Sequence, residues 1–133
     1  MMMARLERLC VAVVDGTQPT SDEWARWTTL LREAGNPLRV MVETRSGPDA
    51  AQRKALATAT RGRDVRFAIL TDSVVVRGIV TALEWLGVPH RAFAPHEAAR
   101  AAAFLDLDAV ECKLAAQELA RLRRQLEAQP PET

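Results

Sequence analysis

The sequence is sparing with the residues from which recognisable sites are most often built. Its 133 residues include two cysteines, two histidines, two lysines, six glycines and six aromatic side chains. Cys10 and Cys112 lie far apart in unlike contexts, with no CxxC spacing. That excludes a disulfide framework and leads to the expectation of free thiols in a reducing cytosol. The glycines are scattered singly, so they form neither a phosphate loop nor a dinucleotide-binding turn. His90, His96, Glu97 and Cys112 have no local metal-ligand spacing, and neither a metal nor another cofactor is expected.

A surplus of charge is missing as well. Eighteen basic against seventeen acidic side chains leave a formal net charge of +1. No global field draws such a chain to nucleic acid, which is therefore not an expected partner. No apolar run approaches the roughly 18 residues of a membrane span. Residues Met1 to Arg8 carry charges but lack the apolar stretch of about 7 or more residues found in a secretory signal, so a cytoplasmic location is expected. All the basic residues but Lys54 and Lys113 are arginine, which reads as the coding bias of a GC-rich bacterial genome.

What the chain does have is the composition of one soluble globular domain, 48% apolar and 26% charged. Short apolar runs alternate with helical patterns. "LCVAVV" (Leu9 to Val14) reads as a buried strand ending at Asp15-Gly16. Thr20, three residues before Glu23, has capping-box spacing, and Trp24, Trp27, Leu30 and Leu31 form one helical stripe. Gly35-Asn36-Pro37 should stop that helix, with glycine in the left-handed cap. "LRVMVET" (Leu38 to Thr44) is a second strand, and Pro48 or Asp49 opens a helix ending at Gly62. "VRFAIL" (Val65 to Leu70) is a third strand, and "VPHRAF" (Val88 to Phe93) a weaker fourth.

Between these last two lies "TDSVVVRGIVTALEWLG". Its valines suit a hairpin strand, yet the Thr71-Asp72-Ser73 joint lacks the glycine or asparagine of tight hairpins. Val75, Ile79, Leu83 and Leu86, flanked by Val76 and Val80, fit a buried helical face ending at Gly87, and a helix is the preferred reading. A further helix covers His96 to Leu105, and Asp108 with Glu111 caps a last one. Ala115, Leu119, Leu122 and Leu126 give that helix a narrow apolar edge, suited to packing on the domain or on a second copy.

The expected fold is therefore α/β: a small, mostly parallel sheet of four to five strands with helices, plus an extra C-terminal helix. Residues 8–105 form the α/β domain, 106–127 a helical extension, and 128–133 a disordered tail.

The order strand, turn, helix, strand, "TDSVVVRGIVTALEWLG", then "HRAFAPHEAARAAAFL" resembles the STAS fold, the sulfate-transporter and anti-sigma-factor-antagonist domain. It is most similar to SpoIIAA-like or STAS/Sec14-like bacterial single-domain proteins, over roughly Leu9 to Leu105. The resemblance implies a small regulatory domain that acts by binding. It also implies a phosphorylatable serine after an internal strand, for which Ser46 in Thr44-Arg45-Ser46-Gly47 is the nearest match. Pro48-Asp49-Ala50-Ala51 stands where the family has Asp-Ser-Ser/Thr-Gly, and the usual N-terminal strand is absent or very short.

Three kinds of function were weighed on these residues. The leading expectation is a non-enzymatic domain that binds a protein partner, homodimerisation through the C-terminal helix being one form, with Trp24, Trp27, Leu119, Leu122 and Leu126 as contact or anchoring positions. The second is a small-ligand or lipid module at the carboxyl ends of the strands, using Arg45, Ser46, Asp72, Ser73 and Arg77. The third is a hydrolase built on Ser73 or Cys10 with His90 or His96. It is the weakest, because Ser73 lacks the G-x-S-x-G elbow, and no catalytic residue is expected. A receiver-like phosphoacceptor is not expected, because Asp15 stands alone and neither Lys54 nor Lys113 is suitably placed. The basic cluster Arg61, Arg63 and Arg66 reads as a solvated turn.

Overall fold

The computed structural model describes residues 1–85 and 89–129. The expected helix stop at Gly87, the strand start at Val88 and the tail beyond Gln129 fall outside those residues. One five-stranded sheet has strand order β1-β2-β3-β4-β5: β1 (Met2–Leu6), β2 (Leu9–Val13), β3 (Leu38–Glu43), β4 (Val65–Leu70) and β5 (His90–Phe93). From β2 onward every pair is parallel, while β1 is antiparallel to β2.

The helices α1 (Ser21–Glu33), α2 (Ala50–Thr60) and α3 (Val74–Trp85) make the crossovers between successive parallel strands. Because strand order follows chain order and such crossovers share one hand, all three lie on one face. Two more helices, α4 (Ala98–Phe104) and α5 (Ala109–Glu127), cover the other face.

The strand sequences dictate this two-sided burial. Period-two alternation sends Cys10 and Ala12 of β2 to the α1–α3 side, and Leu9, Val11 and Val13 to the α4–α5 side. In β4, Phe67 and Ile69 take the first side and Ala68 and Leu70 the second. A strand covered on both faces needs a continuous apolar run, which is why "LCVAV" and "VRFAIL" are legible as strands.

Strand β1 corrects the expectation of an absent or very short N-terminal strand. It pairs over five residues, Met2 with Val13 through Leu6 with Leu9, across the two-residue turn Glu7-Arg8. Glu7 takes a left-handed φ of 59°, a conformation that tight hairpin turns require. As an edge strand, β1 needs no unbroken apolar run.

Helix starts follow their caps. Thr20, Asp49 and Asp108 each close a capping box, with Glu23, Gln52 and Glu111 respectively. The end of α1 differs from expectation. Ala34, not glycine, is the C-cap, in an extended conformation with ψ 152°, and Gly35 has no positive φ. Arg63 does the capping from a distance. Its guanidinium donates to the Ala34 carbonyl at 2.7 Å and the Gly35 carbonyl at 3.1 Å, and also to the Leu31 carbonyl. The Arg61–Arg66 cluster is thus not simply a solvated turn.

Residues 74–85 are helical, and the hairpin alternative falls. The buried face is narrower than expected, with Val76 and Val80 buried but Val75 72% exposed and Val74 82% exposed. On α5, Ala115, Leu119 and Leu122 are buried to within 2% against the sheet. Leu126 is partly buried in the same cluster. Arg8 on the β1–β2 turn clasps Glu111 through Nε at 2.8 Å and Nη2 at 2.6 Å, holding α5 to the strands.

Candidate functional site

The two layers do not fit equally well. On the α4–α5 side, leucines fill the interface. On the other side, α2 ("AAQRKALATAT") leans chiefly on α1 and turns inward one large apolar side chain, Leu56. Alanines and threonines cannot fill the space between two layers about 10 Å apart. The result is a cavity of about 410 Å³ between sheet, α2 and α3, whose walls include Trp24, Val42, Leu56, Phe67, Ile79 and Leu83. That is the volume and character of a small-molecule pocket.

Nearly every polar group on its wall is already engaged. Trp24 Nε1 donates to the Gln52 carbonyl at 3.1 Å, and the Gln52 side chain completes its capping box. The Thr60 hydroxyl donates back to the Leu56 carbonyl at 3.0 Å, and the Thr44 hydroxyl to the Ser46 carbonyl at 2.8 Å. Two atoms are different. Ser46 Oγ and His90 Nδ1 are buried and have no hydrogen-bond partner among the described residues. His90, 7% exposed, stacks flat on Phe67 with ring centroids 4.3 Å apart. Burial pushes its pKa down to about 4, so the imidazole is neutral at physiological pH.

The residues expected to form a site at the strand ends are divided by the structure. Arg45 and Asp72 meet at 3.5 Å, but as an exposed surface pair. Ser73 is spent as a helix cap, its Oγ accepting from the Val76 amide at 3.2 Å. Arg77 folds back onto the Thr71 carbonyl at 3.3 Å. Ser46 alone faces the large cavity, and its buried hydroxyl is not presented to a kinase. The cleft at the strand ends, about 310 Å³, contains Asp15, Glu43, Arg45, Asp72 and Arg123. Arg123 Nε bonds Glu43 at 2.9 Å, and Asp15 accepts from the Thr17 amide at 2.9 Å, so its charges are largely answered from within.

The expected contact positions also change role. Trp27 is 2% exposed, and Leu119 and Leu122 are 1% exposed each, so these side chains are core and offer no seam to a partner. Trp24 is partly buried and walls the cavity. The exposed aromatic is Trp85, at 86%.

Neither Cys10 nor Ser73 is an activated nucleophile. Burial of Cys10 raises its pKa to about 11, leaving an inert thiol, and Ser73 is capping a helix. No three His, Cys, Asp or Glu side chains among the described residues come together as a metal site. No described helix is long and apolar enough to cross a membrane.

Sequence reasoning weighed His90 as a base and as a metal ligand and missed its place in the cavity wall. The signal was there in two parts: a histidine entering a buried strand, and a crossover helix with small residues on its inner face. No protein-family model matches the chain, and no curated protein or solved structure is significantly similar to it.

Proposed function

We propose that the protein is a non-enzymatic binding module that takes a small, largely apolar molecule between its sheet and its three crossover helices. The observation that carries this reading is a cavity of about 410 Å³ walled chiefly by apolar side chains, Trp24, Val42, Leu56 and Ile79 among them. Empty apolar volume costs stability, and a bound apolar molecule would fill it.

The experiment is a thermal-shift series with medium-chain apolar compounds on the wild type and on Val42→Phe, a substitution that fills the cavity from β3. Stabilisation of the wild type alone is expected. If no apolar compound raises the melting temperature, the reading fails.

A second reading, of a regulatory domain that binds a protein, is favoured by the exposure of Val74, Val75 and Trp85 on α3. The same helix walls the cavity through Val76, Ile79 and Val80, so a ligand there would bear on that surface. The STAS-like assignment belongs with this reading and is supported by the order of the βα units. Homodimerisation through this face, tested by light scattering on Trp85→Ser, is its simplest form.

A further inference from the structure

Helices α2 and α3 turn matching stripes towards the cavity. Arg53, Leu56, Ala57 and Thr60 of α2 line it, and on α3 the spacing is repeated by Val76, Ile79, Val80 and Leu83. Both sets follow i, i+3, i+4, i+7, which is one face of a helix. The α3 stripe is wholly apolar, whereas the α2 stripe begins with an arginine. Along α2 the stripe runs about 10 Å at about 1.5 Å per residue. At about 30 Å³ per non-hydrogen atom, the cavity volume suits a ligand of on the order of a dozen such atoms.

Charge is distributed unevenly around this space. No described wall residue is an Asp or a Glu. Met1 contributes to the wall, but its ammonium is already paired with Glu23 at 2.9 Å. Arg53 differs from it. Its side chain is exposed, its Nη1 donates to the Pro48 carbonyl at 2.8 Å, and it belongs to none of the ion pairs among the described residues. The other N–H groups of the fork are left for a ligand. Ala57, one turn further along the stripe, is exposed as well, so this side of α2 is where the cavity meets solvent. A guanidinium at the mouth with hydrocarbon walls behind it is complementary to an amphipathic anion. Such a molecule buries its tail while its charge stays at the water's edge, which avoids the cost of an unpaired charge inside.

Building on the proposed function, we infer that the ligand of this cavity is a medium-chain carboxylate, its hydrocarbon tail between α2, α3 and the sheet and its carboxylate on the guanidinium of Arg53 at the mouth. Burial of the tail supplies most of the affinity and is indifferent to the head group. Arg53 is the specificity-determining residue, because its planar fork matches the two oxygens of a carboxylate and gains little from a neutral alcohol of the same length.

Calorimetric titrations at pH 8 with decanoate, which is ionised there, and 1-decanol test this on the wild type, Arg53→Gln and Arg53→Glu. Arg53→Gln is expected to bind decanoate about fivefold more weakly than the wild type does, the size of a solvent-screened ion pair, and to bind 1-decanol equally well. Arg53→Glu puts repulsion in place of attraction and should lose more decanoate affinity, again with 1-decanol unchanged. Either variant carries the comparison if the other does not fold. Undiminished decanoate binding by a folded variant overturns the inference, as does an equal loss of both ligands. A wild type that binds 1-decanol but not decanoate overturns it too. In each of these cases the cavity reading stands. Absence of binding by both probes to the wild type overturns both.

Discussion

His90 and Phe67 lie face to face on neighbouring strands, ring centroids 4.3 Å apart and planes within 5° of parallel. The stack holds a neutral imidazole at the cavity wall, and folding stability depends on pH as a result. Its pKa falls from 6.5 to about 4 on burial. Above pH 6.5 the ring is neutral in both folded and unfolded chains and contributes no pH dependence. As pH drops below 6.5, the unfolded chain takes up a proton that the folded one refuses, so stability declines until about pH 4. At about 1.4 kcal/mol per pH unit the total loss from this group is about 3 kcal/mol. Urea denaturation between pH 7 and pH 4 should show it, and His90→Phe should flatten that part of the profile.

Arg63 is expected to matter well beyond its own turn. Its guanidinium closes the C-terminus of α1 on the carbonyls of Ala34 and Gly35. Arg63→Ala should cost about 2 kcal/mol, within the range for hydrogen bonds to a charged group. Arg63→Lys should restore little, since an ammonium cannot span several carbonyls as the planar fork does. Chemical denaturation of the two variants measures both.

Leu119 and Trp85 should behave as opposites. Leu119→Ala opens a cavity under α5 and is expected to destabilise by about 2–5 kcal/mol. Trp85→Ala, at an 86% exposed position, should stay within about 0.5 kcal/mol of wild type. Trp85 fluorescence, isolated by replacing Trp24 and Trp27 with phenylalanine, should be quenched readily by acrylamide.

Asp108→Ala removes the side chain that accepts from the Glu111 amide at 2.8 Å. A loss of about 1 kcal/mol is expected from the cap. Amide exchange should rise first in the opening turn of α5, where the capped groups are.

The elements were legible wherever local chemistry decides them. Thr20 with Glu23 and Asp108 with Glu111 fix helix starts within four residues of chain, and the doubly buried β2 and β4 betray themselves as continuous apolar runs. Features decided by distant partners were not. Gly35 looks like a left-handed cap until Arg63 arrives from beyond α2 to satisfy the same carbonyls. Leu119 and Leu122 make the same stripe whether they meet a second copy or the sheet. "MMARL" gives β1 away poorly because an edge strand needs no unbroken apolar run.

The candidate site was hidden for a related reason. Attention to polar residues at strand ends led to Arg45, Asp72 and Ser73, which the structure uses for a surface pair and a cap. The cavity comes instead from what α2 fails to supply, namely bulk. Small residues carry no signature until the layers they separate are known.

The most direct test of the account is the heat of 1-decanol binding measured between 10 and 30 °C on the wild type and on Val42→Phe. The account predicts one molecule bound per chain with a negative heat-capacity change, as burial of apolar surface requires, and loss of binding in a Val42→Phe variant that remains folded. Equal binding by the two proteins, or none by the wild type, would contradict it.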